Sequence, residues 1–364
     1  MNFKKLAAAL MAAALCVTGA GCSRSAENSG NTGDTGNTDG TVSDGGSARE
    51  FDTELTAMQL TSDIKIGWNL GNTLDATGGS GLTQETSWGN PAVTPELIQA
   101  VKDAGFNAIR VPTTWERQIG DDGTISADWM SRVQQIVDYA YDLDMYVILN
   151  MHHEEWYQPY ADKEEEISAK LSSCWTQIAE NFKDYDQHLI FEGMNEPRWK
   201  NTDYEWNGGN DEGRTVVNHL NKAFVDAVRA TGGNNQYRFL MVCPYAANST
   251  EPALAALELP DDDRLIVSVH AYIPYSFALA QPGTDKWIAS KVNCTRDIDT
   301  LAEVLDRLFI SKGQAVIIGE CGAMNRDNED YRAQWAQYYF SKFREIGIPV
   351  SYTHLRAHET RHDL

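Results

Sequence analysis

Basic residues are scarce in this chain. Its 364 residues include 30 Lys and Arg against 52 Asp and Glu, a formal net charge of −22. A nucleic-acid partner requires a basic face that neutralises phosphates, so this balance argues against one. It also disfavours anionic substrates unless a local basic pocket exists. A neutral substrate is the default expectation, and the ten Trp offer faces suited to stacking on sugar rings.

Cysteine is also infrequent, with six in the chain. Cys16 and Cys22 lie near the N-terminus, and the remaining four are Cys174, Cys243, Cys294 and Cys321. Their spacing fits neither a zinc site nor the dense disulfide framework of small secreted domains. Cys243 and Cys321 fall in apolar strand-like runs, which predicts core residues rather than catalytic thiols.

The N-terminus carries a pattern of its own. Lys4 and Lys5 precede an apolar run over 6–17 that is too short to span a bilayer comfortably, and small residues lead to Cys22. This pattern resembles a bacterial lipoprotein signal, although Gly19 stands where Leu is usual. The resemblance predicts export, a signal peptide over 1–22 and a lipid anchor at Cys22. The alternative is a plain secretory signal with a chance cysteine.

Residues 23–47 are rich in Ser, Gly, Asn, Thr and Asp and almost lack apolar side chains. Such a segment cannot bury enough surface to fold, which predicts a flexible tether. One catalytic domain is expected over 48–350, because no internal repeat and no second linker are visible in the sequence.

Strand-like and helix-like patterns alternate from about residue 51 onward. Strands are predicted over 64–70, 108–111, 146–151, 188–194, 239–244, 265–269 and 315–319, and helices over 95–104, 128–143, 165–182, 213–230, 296–309 and 329–346. Regular alternation implies parallel strands with helical crossovers. Seven such units favour an α/β (β/α)8 TIM barrel over an open sheet. No Gly-rich phosphate motif follows the first strand.

Polar side chains follow nearly every predicted strand. They are Trp68, Asn69 and Asn72; Arg110 and Trp115; His152 and His153; Asn195 and Glu196; His270 and Tyr272; and Glu320. In a TIM barrel the carboxyl ends of the strands form one mouth, which is where catalysis takes place. Agreement among six strands therefore predicts one converging polar site.

Two glutamates indicate the chemistry of that site. Glu196 and Glu320 follow the fourth and seventh strands, and paired carboxylates can act as general acid and nucleophile at a glycosidic bond. If the two carboxyl groups lie about 5–5.5 Å apart, the reaction retains anomeric configuration. A loop-end salt bridge is the alternative for either residue alone.

The ordered motifs resemble glycoside hydrolase family 5, most closely its subfamily 4 of endo-β-1,4-glucanases. The matching segments are GWNLGNTLD (67–75), ETSWGNP (85–91), IRVP (109–112), NMHHE (150–154), FEGMNEPR (191–198), HAY (270–272) and GE (319–320). The resemblance covers roughly 50–350. It implies a retaining cellulase-type enzyme that takes β-glucan, uses no cofactor and acts as a monomer.

The resemblance also implies roles for individual residues. Glu196 would be the acid/base and Glu320 the nucleophile. The implied supporting residues are Arg110 and Tyr272 at the nucleophile, Asn195 at the sugar 2-hydroxyl, His270 beside the acid/base and His152 at the sugar before the cleaved bond. The implied substrate contacts are Asn72, His153, Trp68, Trp115 and Trp206, with Trp156 and Trp199 as further stacking candidates.

Two features leave alternatives open. His152 and His153 could suggest a metal, but adjacent histidines on a strand point to opposite faces, so no metal is expected. A β-mannanase on the same scaffold and a non-catalytic glycan-binding lipoprotein are the competing functions. Retention of both glutamates with Arg110 argues against pure binding.

The C-terminus departs from the family pattern. Residues 351–364 hold three of the eight His of the chain, with neither a Trp nor an amphipathic helix. The family would place both there. This tail is predicted to be non-native sequence, which would leave the last βα unit incomplete and the edges of strands one and seven open.

Overall fold

The computed structural model describes residues 49–355. The predicted signal over 1–22 with Cys22, the tether over 23–47 and residues 356–364 of the predicted tail lie outside these described residues. Within the described range, no helix is both long and apolar enough to cross a membrane.

Eight parallel strands form a closed barrel in sequence order. They are β1 Gly67–Asn69, β2 Ala108–Val111, β3 Tyr146–Asn150, β4 Leu189–Glu192, β5 Leu240–Val242, β6 Leu265–His270, β7 Ala315–Cys321 and β8 Val350–Tyr352. Each is short and buried along its whole length or nearly so, as strands covered by helices should be. The predicted TIM barrel is confirmed.

Helices cover the barrel. In the described range they are α1 Ala57–Asp63, α2 Pro95–Asp103, α3 Ala127–Tyr141, α4 Glu164–Asn181, α5 Asp211–Ala230, α6 Glu251–Ala255, α7 Tyr275–Ala278, α8 Val292–Leu308 and α9 Glu329–Glu345. The start of α2 follows from its sequence, because Thr94 accepts a hydrogen bond from the Leu97 amide and Pro95 suits the first helical position. All six predicted helices are present; α1, α6 and α7 were not predicted.

Helix α1 closes the amino-terminal end of the barrel. Its Leu60 packs with inward-facing side chains of the strands, including Ile148, Ile190 and Ile266. A reciprocal pair of hydrogen bonds between Thr56 and Gln59 fixes its start. The closure buries an apolar layer across the barrel and leaves the other end open for a site.

The eighth strand corrects one expectation. Ser351 and Tyr352 pair with Gly67 and Trp68 of β1, while β8 also pairs with β7. Leu355 is only 1% exposed and packs against Ala278, Leu279 and Met324. The expectation of open edges on β1 and β7 is therefore wrong, because three residues suffice to bond both neighbouring strands. Residues 351–355 are built into the barrel.

Strand β7 contains a β-bulge. Its register shifts by one residue between Ile318 and Cys321 against both neighbouring strands, which places Glu320 opposite His270 of β6. The extra residue is Gly319, where a Cβ atom would lie 3.1 Å from Ser268 Oγ and 3.2 Å from His270 Nε2. Glycine permits this close approach.

The cysteines lie where the sequence predicts. Cys243 and Cys321 are buried in the core, and the four cysteines among the described residues are free. Burial raises the pKa of both thiols, which keeps them protonated.

Candidate active site

A buried arginine organises the mouth of the barrel. The Arg110 guanidinium on β2 donates from Nη1 to Glu320 Oε1 at 2.7 Å and from Nη2 to Asn195 Oδ1 at 2.7 Å. It also donates from Nη1 to Asn69 Oδ1 at 3.0 Å and from Nε to Glu192 Oε2 at 2.7 Å. The side chain is completely buried. Burial opposes its charge, but the carboxylates of Glu192 and Glu320 outweigh burial and raise the pKa of Arg110.

Glu320 is held as an anion. Tyr272 donates its hydroxyl to Oε2 at 2.7 Å, while Arg110 occupies Oε1. Burial alone would raise the pKa of Glu320, but the charges of His270 and Arg110 and the two hydrogen bonds lower it to about 2. An ionised carboxylate with both oxygens oriented is what a nucleophile requires.

Glu196 faces Glu320 across the mouth. One carboxyl oxygen of each lies within 4.8 Å of the other, with a ring nitrogen of His270 inside the same group. Retaining glycosidases separate their carboxyl groups by about 5–5.5 Å and inverting ones by about 6.5–9.5 Å, so the pair has the spacing of a retaining enzyme.

His270 joins the two carboxyl groups. Its Nδ1 lies 2.7 Å from Glu196 Oε1 and 3.7 Å from Glu320 Oε1. Burial would lower its pKa, but the charge of Glu320 and the contact with Glu196 raise the pKa of His270 above its usual value. The imidazole, which lies between two acidic groups, can therefore be protonated.

A third buried carboxylate, Glu192, lies beneath this pair, and no role was predicted for it from the sequence. Glu192 accepts hydrogen bonds from Arg110 Nε, from Asn150 Nδ2 at 3.0 Å and from Ser268 Oγ at 2.5 Å. These residues stand two positions after inward apolar residues of their strands, so they form a polar layer above the apolar one. The sequence did contain a signal for this residue, since Glu192 occupies an inward-facing position of an otherwise apolar strand.

The two adjacent histidines do not point apart. Their rings lie 4.4 Å from each other, because both residues follow the end of β3, where strand alternation no longer applies. Burial places the pKa of His152 well below its usual value and that of His153 at about 4, so both are neutral near pH 7. The expectation of opposite faces is wrong.

Asp75 completes a possible cation group with these histidines, and Glu196, His270 and Glu320 form another. Both oxygens of Asp75 already accept backbone amides, from Thr73 at 2.7 Å and from Asn72 at 2.9 Å. His152 Nδ1 is 3.0 Å from the Asn150 amide. Asp75 and the Nδ1 of His152 are thus engaged within the fold.

Two polar atoms in this region, Asn72 Oδ1 and His153 Nε2, are buried without a hydrogen-bond partner among the described residues. Buried polar atoms are costly unless satisfied, so both are suited to contact a hydroxyl-rich ligand. The ring of Trp88, which the sequence analysis did not select, lies 5.7 Å from that of His153.

The tryptophan candidates separate by exposure. Trp115 is completely buried and donates to the Asn150 carbonyl, so its expected role as a sugar platform is wrong: no face is open to a ligand. Trp199 is also buried, with its ring stacked on Tyr160 and its Nε1 bonded to the Pro159 carbonyl.

Three candidates keep accessible surface. Trp206 is 42% exposed. Trp68, on β1, and Trp156, whose Nε1 donates to Glu154, are half-buried. These three remain possible stacking surfaces.

Comparisons with known proteins agree with this geometry. Residues 73–357 match the family model of cellulase (glycosyl hydrolase family 5). The chain is 48% identical to Endoglucanase B of Ruminococcus albus over 301 residues, covering 82% of this chain and 72% of that protein.

Solved structures share the fold as well. A GH5-4 broad specificity endoglucanase from Clostridium longisporum superposes with a TM-score of 0.80 at 41% identity, covering 82% of this chain and 88% of that one. XEG5A, a xyloglucan-specific endo-β-1,4-glucanase from a metagenomic library in complex with cellotriose, has a TM-score of 0.79 at 44% identity, with 82% and 88% covered.

Proposed function

The chain belongs to glycosyl hydrolase family 5 and is an endo-β-1,4-glucanase; on this basis we propose that it cleaves β-glucan by double displacement, with Glu320 as nucleophile and Glu196 as acid/base. The observation that supports this most directly is the approach of their carboxyl oxygens to within 4.8 Å. Such a spacing leaves no room for a water between carboxylate and sugar, as an inverting reaction needs.

In the first step, Glu320 attacks the anomeric carbon while Glu196 gives its proton to the departing glycosidic oxygen. The bond to that oxygen breaks, and a glycosyl ester forms on Glu320. Arg110 and Tyr272 hold the attacking carboxylate in one orientation. Asn195 Oδ1 is occupied by Arg110, so its amide N–H groups are left to donate to the 2-hydroxyl.

In the second step, Glu196 takes a proton from water, and the water oxygen displaces Glu320 from the anomeric carbon. Two inversions give net retention, and both carboxyl groups return to their starting forms. His270 contacts both groups and accommodates their alternating charge.

The substrate class proposed is cellulose, mixed-linkage glucan or xyloglucan. The neutral lining of Asn72, His152 and His153 suits uncharged sugars, and the solved relative XEG5A is xyloglucan-specific. A panel of carboxymethylcellulose, lichenan, xyloglucan, xylan and mannan tests this directly. Predominant mannan hydrolysis would favour the β-mannanase alternative.

The roles are tested by Glu320→Ala and Glu196→Ala, with Glu251→Ala as a surface control. Both active-site variants should lose glucan hydrolysis. On an activated substrate such as 2,4-dinitrophenyl β-cellotrioside, which needs no proton donor, azide should give a β-glycosyl azide with Glu196→Ala, whose nucleophile is intact, and an α-glycosyl azide by direct displacement with Glu320→Ala. Hydrolysis by Glu320→Ala at the rate of the control would contradict the assignment.

The site of action proposed is outside the cytoplasm, as a monomer anchored by lipid at Cys22. The signal-like leader and the apolar-poor tether support this. Expression in a bacterial host with labelled fatty acid should give a labelled membrane-bound enzyme that Cys22→Ala releases. Equal release of both forms would favour the plain secretory alternative.

A further inference from the structure

A buried arginine outside the roles above contacts the proposed acid/base. Arg198 lies in the loop after β4, and its Nη1 donates to the Glu196 backbone carbonyl at 3.0 Å. The same nitrogen lies 3.5 Å from Glu196 Oε2. Both side chains are almost wholly buried. One oxygen of Glu196 thus faces His270, and the other faces a guanidinium.

An indole packs against this guanidinium. Arg198 Cζ lies 4.0 Å from the ring centroid of Trp206. Arg198 Nε also pairs with Glu205 Oε1 at 3.3 Å, and Glu205 Oε2 accepts the Asn201 amide. The backbone of Trp206 is fixed by Asn248, whose Nδ2 donates to the Trp206 carbonyl at 3.0 Å. Arg198 is therefore fixed from several directions.

Trp206 remains 42% exposed although Arg198 occupies one of its faces. An indole with this much exposed surface can bind a flat apolar ligand such as a pyranose ring. A cation over an aromatic face gains from desolvation, so a sugar that covers the ring would strengthen the contact beneath it.

We propose that Arg198 is a positioning residue that orients Glu196 and links it to a sugar bound on Trp206, on the leaving-group side of the cleavage point. When Glu196 gives up its proton it becomes an anion, and the guanidinium beside Oε2 compensates that charge without reorganisation. When the departing part of the glucan is bound on Trp206, it holds Arg198 in place for this step. The proposal rests on the acid/base role of Glu196.

Leaving-group dependence tests the proposal. Substrates are aryl β-cellotriosides with a phenyl or a 2,4-dinitrophenyl leaving group, since the second departs without protonation. For Arg198→Met we expect about 10- to 100-fold loss of kcat/KM on the phenyl compound and less than about threefold on the dinitrophenyl one. Arg198→Lys keeps the charge and should recover much of the loss. Arg307→Met, which removes an exposed ion pair with Glu251, is the control.

The pH profile gives a second readout that a purely structural role would not move. Arg198→Met removes a cation beside the proposed acid, so the alkaline limb of kcat/KM should move to higher pH. A uniform loss on both aryl substrates with an unmoved pH limb would overturn the proposal.

The indole is tested separately on cellohexaose, which extends past the cleavage point. Trp206→Ala should lower kcat/KM on cellohexaose by about tenfold and slow the dinitrophenyl trioside little, and Trp206→Phe should fall between. Equal effects on both substrates would contradict the leaving-group-side placement. If instead Glu196→Ala lost activity equally on both aryl substrates, the acid/base role itself would fail.

Discussion

The buried carboxylate Glu192 makes a sharp test of the polar layer beneath the site. Glu192→Gln changes little shape: the amide oxygen can still accept from Arg110 and Asn150, and the amide N–H can donate to Ser268 Oγ. What is lost is the negative charge next to a completely buried guanidinium. Arg110 then keeps one carboxylate partner, Glu320.

The expected cost is large. Removing one partner of a buried ion pair costs about 3–5 kcal/mol when the remaining charge is left without compensation; because Arg110 keeps Glu320, we expect the lower end, about 3 kcal/mol. With an unfolding entropy of about 2.1 cal/mol/K per residue over about 300 residues, this corresponds to a fall in Tm of about 5 °C.

The assay is thermal unfolding at neutral pH, monitored by circular dichroism and calorimetry. The matched control is Glu251→Gln, which breaks the exposed pair with Arg307 and should change Tm by about 1 °C or less. If Glu192→Gln shifted Tm no more than this control, the charge of Glu192 would not be what holds Arg110, and the reasoning would be refuted.

Three further predictions concern single contacts. Tyr272→Phe removes a hydrogen bond that lowers the pKa of Glu320, so this pKa should rise from about 2 and the acidic limb of kcat/KM should move to higher pH. Burial raises the pKa of Glu154 to about 7, so its contribution to stability is full below about pH 4.5 and is lost as pH rises through 7. Glu154→Gln should therefore make Tm less dependent on pH between 5 and 7. Trp115→Phe removes the bond to the Asn150 carbonyl and should lower stability by about 1–2 kcal/mol while KM for glucan stays unchanged.

Each of these has a clear contrary result. An unmoved acidic limb in Tyr272→Phe would mean that the charges of His270 and Arg110 keep Glu320 ionised without the tyrosine hydrogen bond. A Glu154→Gln variant with the parent's pH slope would assign the slope to another group, with Asp75 first in line because burial raises its pKa to about 6. A raised KM with unchanged stability in Trp115→Phe would indicate that Trp115 contacts the substrate after all.

The barrel and its polar mouth were predictable because both depend on local pattern. Short apolar runs alternating with amphipathic segments imply parallel strands, and the residue after each strand must lie at the mouth. Glu196, Glu320 and Arg110 meet there as the order of motifs predicted. The helix bounds were close because caps such as Thr94 are written in the local sequence.

What could not be predicted depends on exposure and on contacts between distant segments. Trp115 and Trp206 look alike in sequence, but one fills the core and the other covers Arg198 at the surface. The role of Arg198 required knowing that its guanidinium turns back towards Glu196. Strand β8 was expected to be incomplete because the sequence after Val350 has neither an apolar run nor an amphipathic pattern, although Tyr352 pairs with two neighbouring strands.

The closure of the barrel by β8 has a consequence for how activity arises during folding. Arg110 and Glu320 are 210 positions apart, and Asn69 reaches Gly319 and Thr353 across 250 and 284 positions. Contacts between the beginning and end of a chain form only after large loops have closed, which is entropically costly and slow. We therefore expect the contacts of the nucleophile to form late, so that a partly folded chain with most of its strands in place is still inactive. Recovery of hydrolysis during refolding would thus report the meeting of β1 and β8 rather than the collapse of the chain.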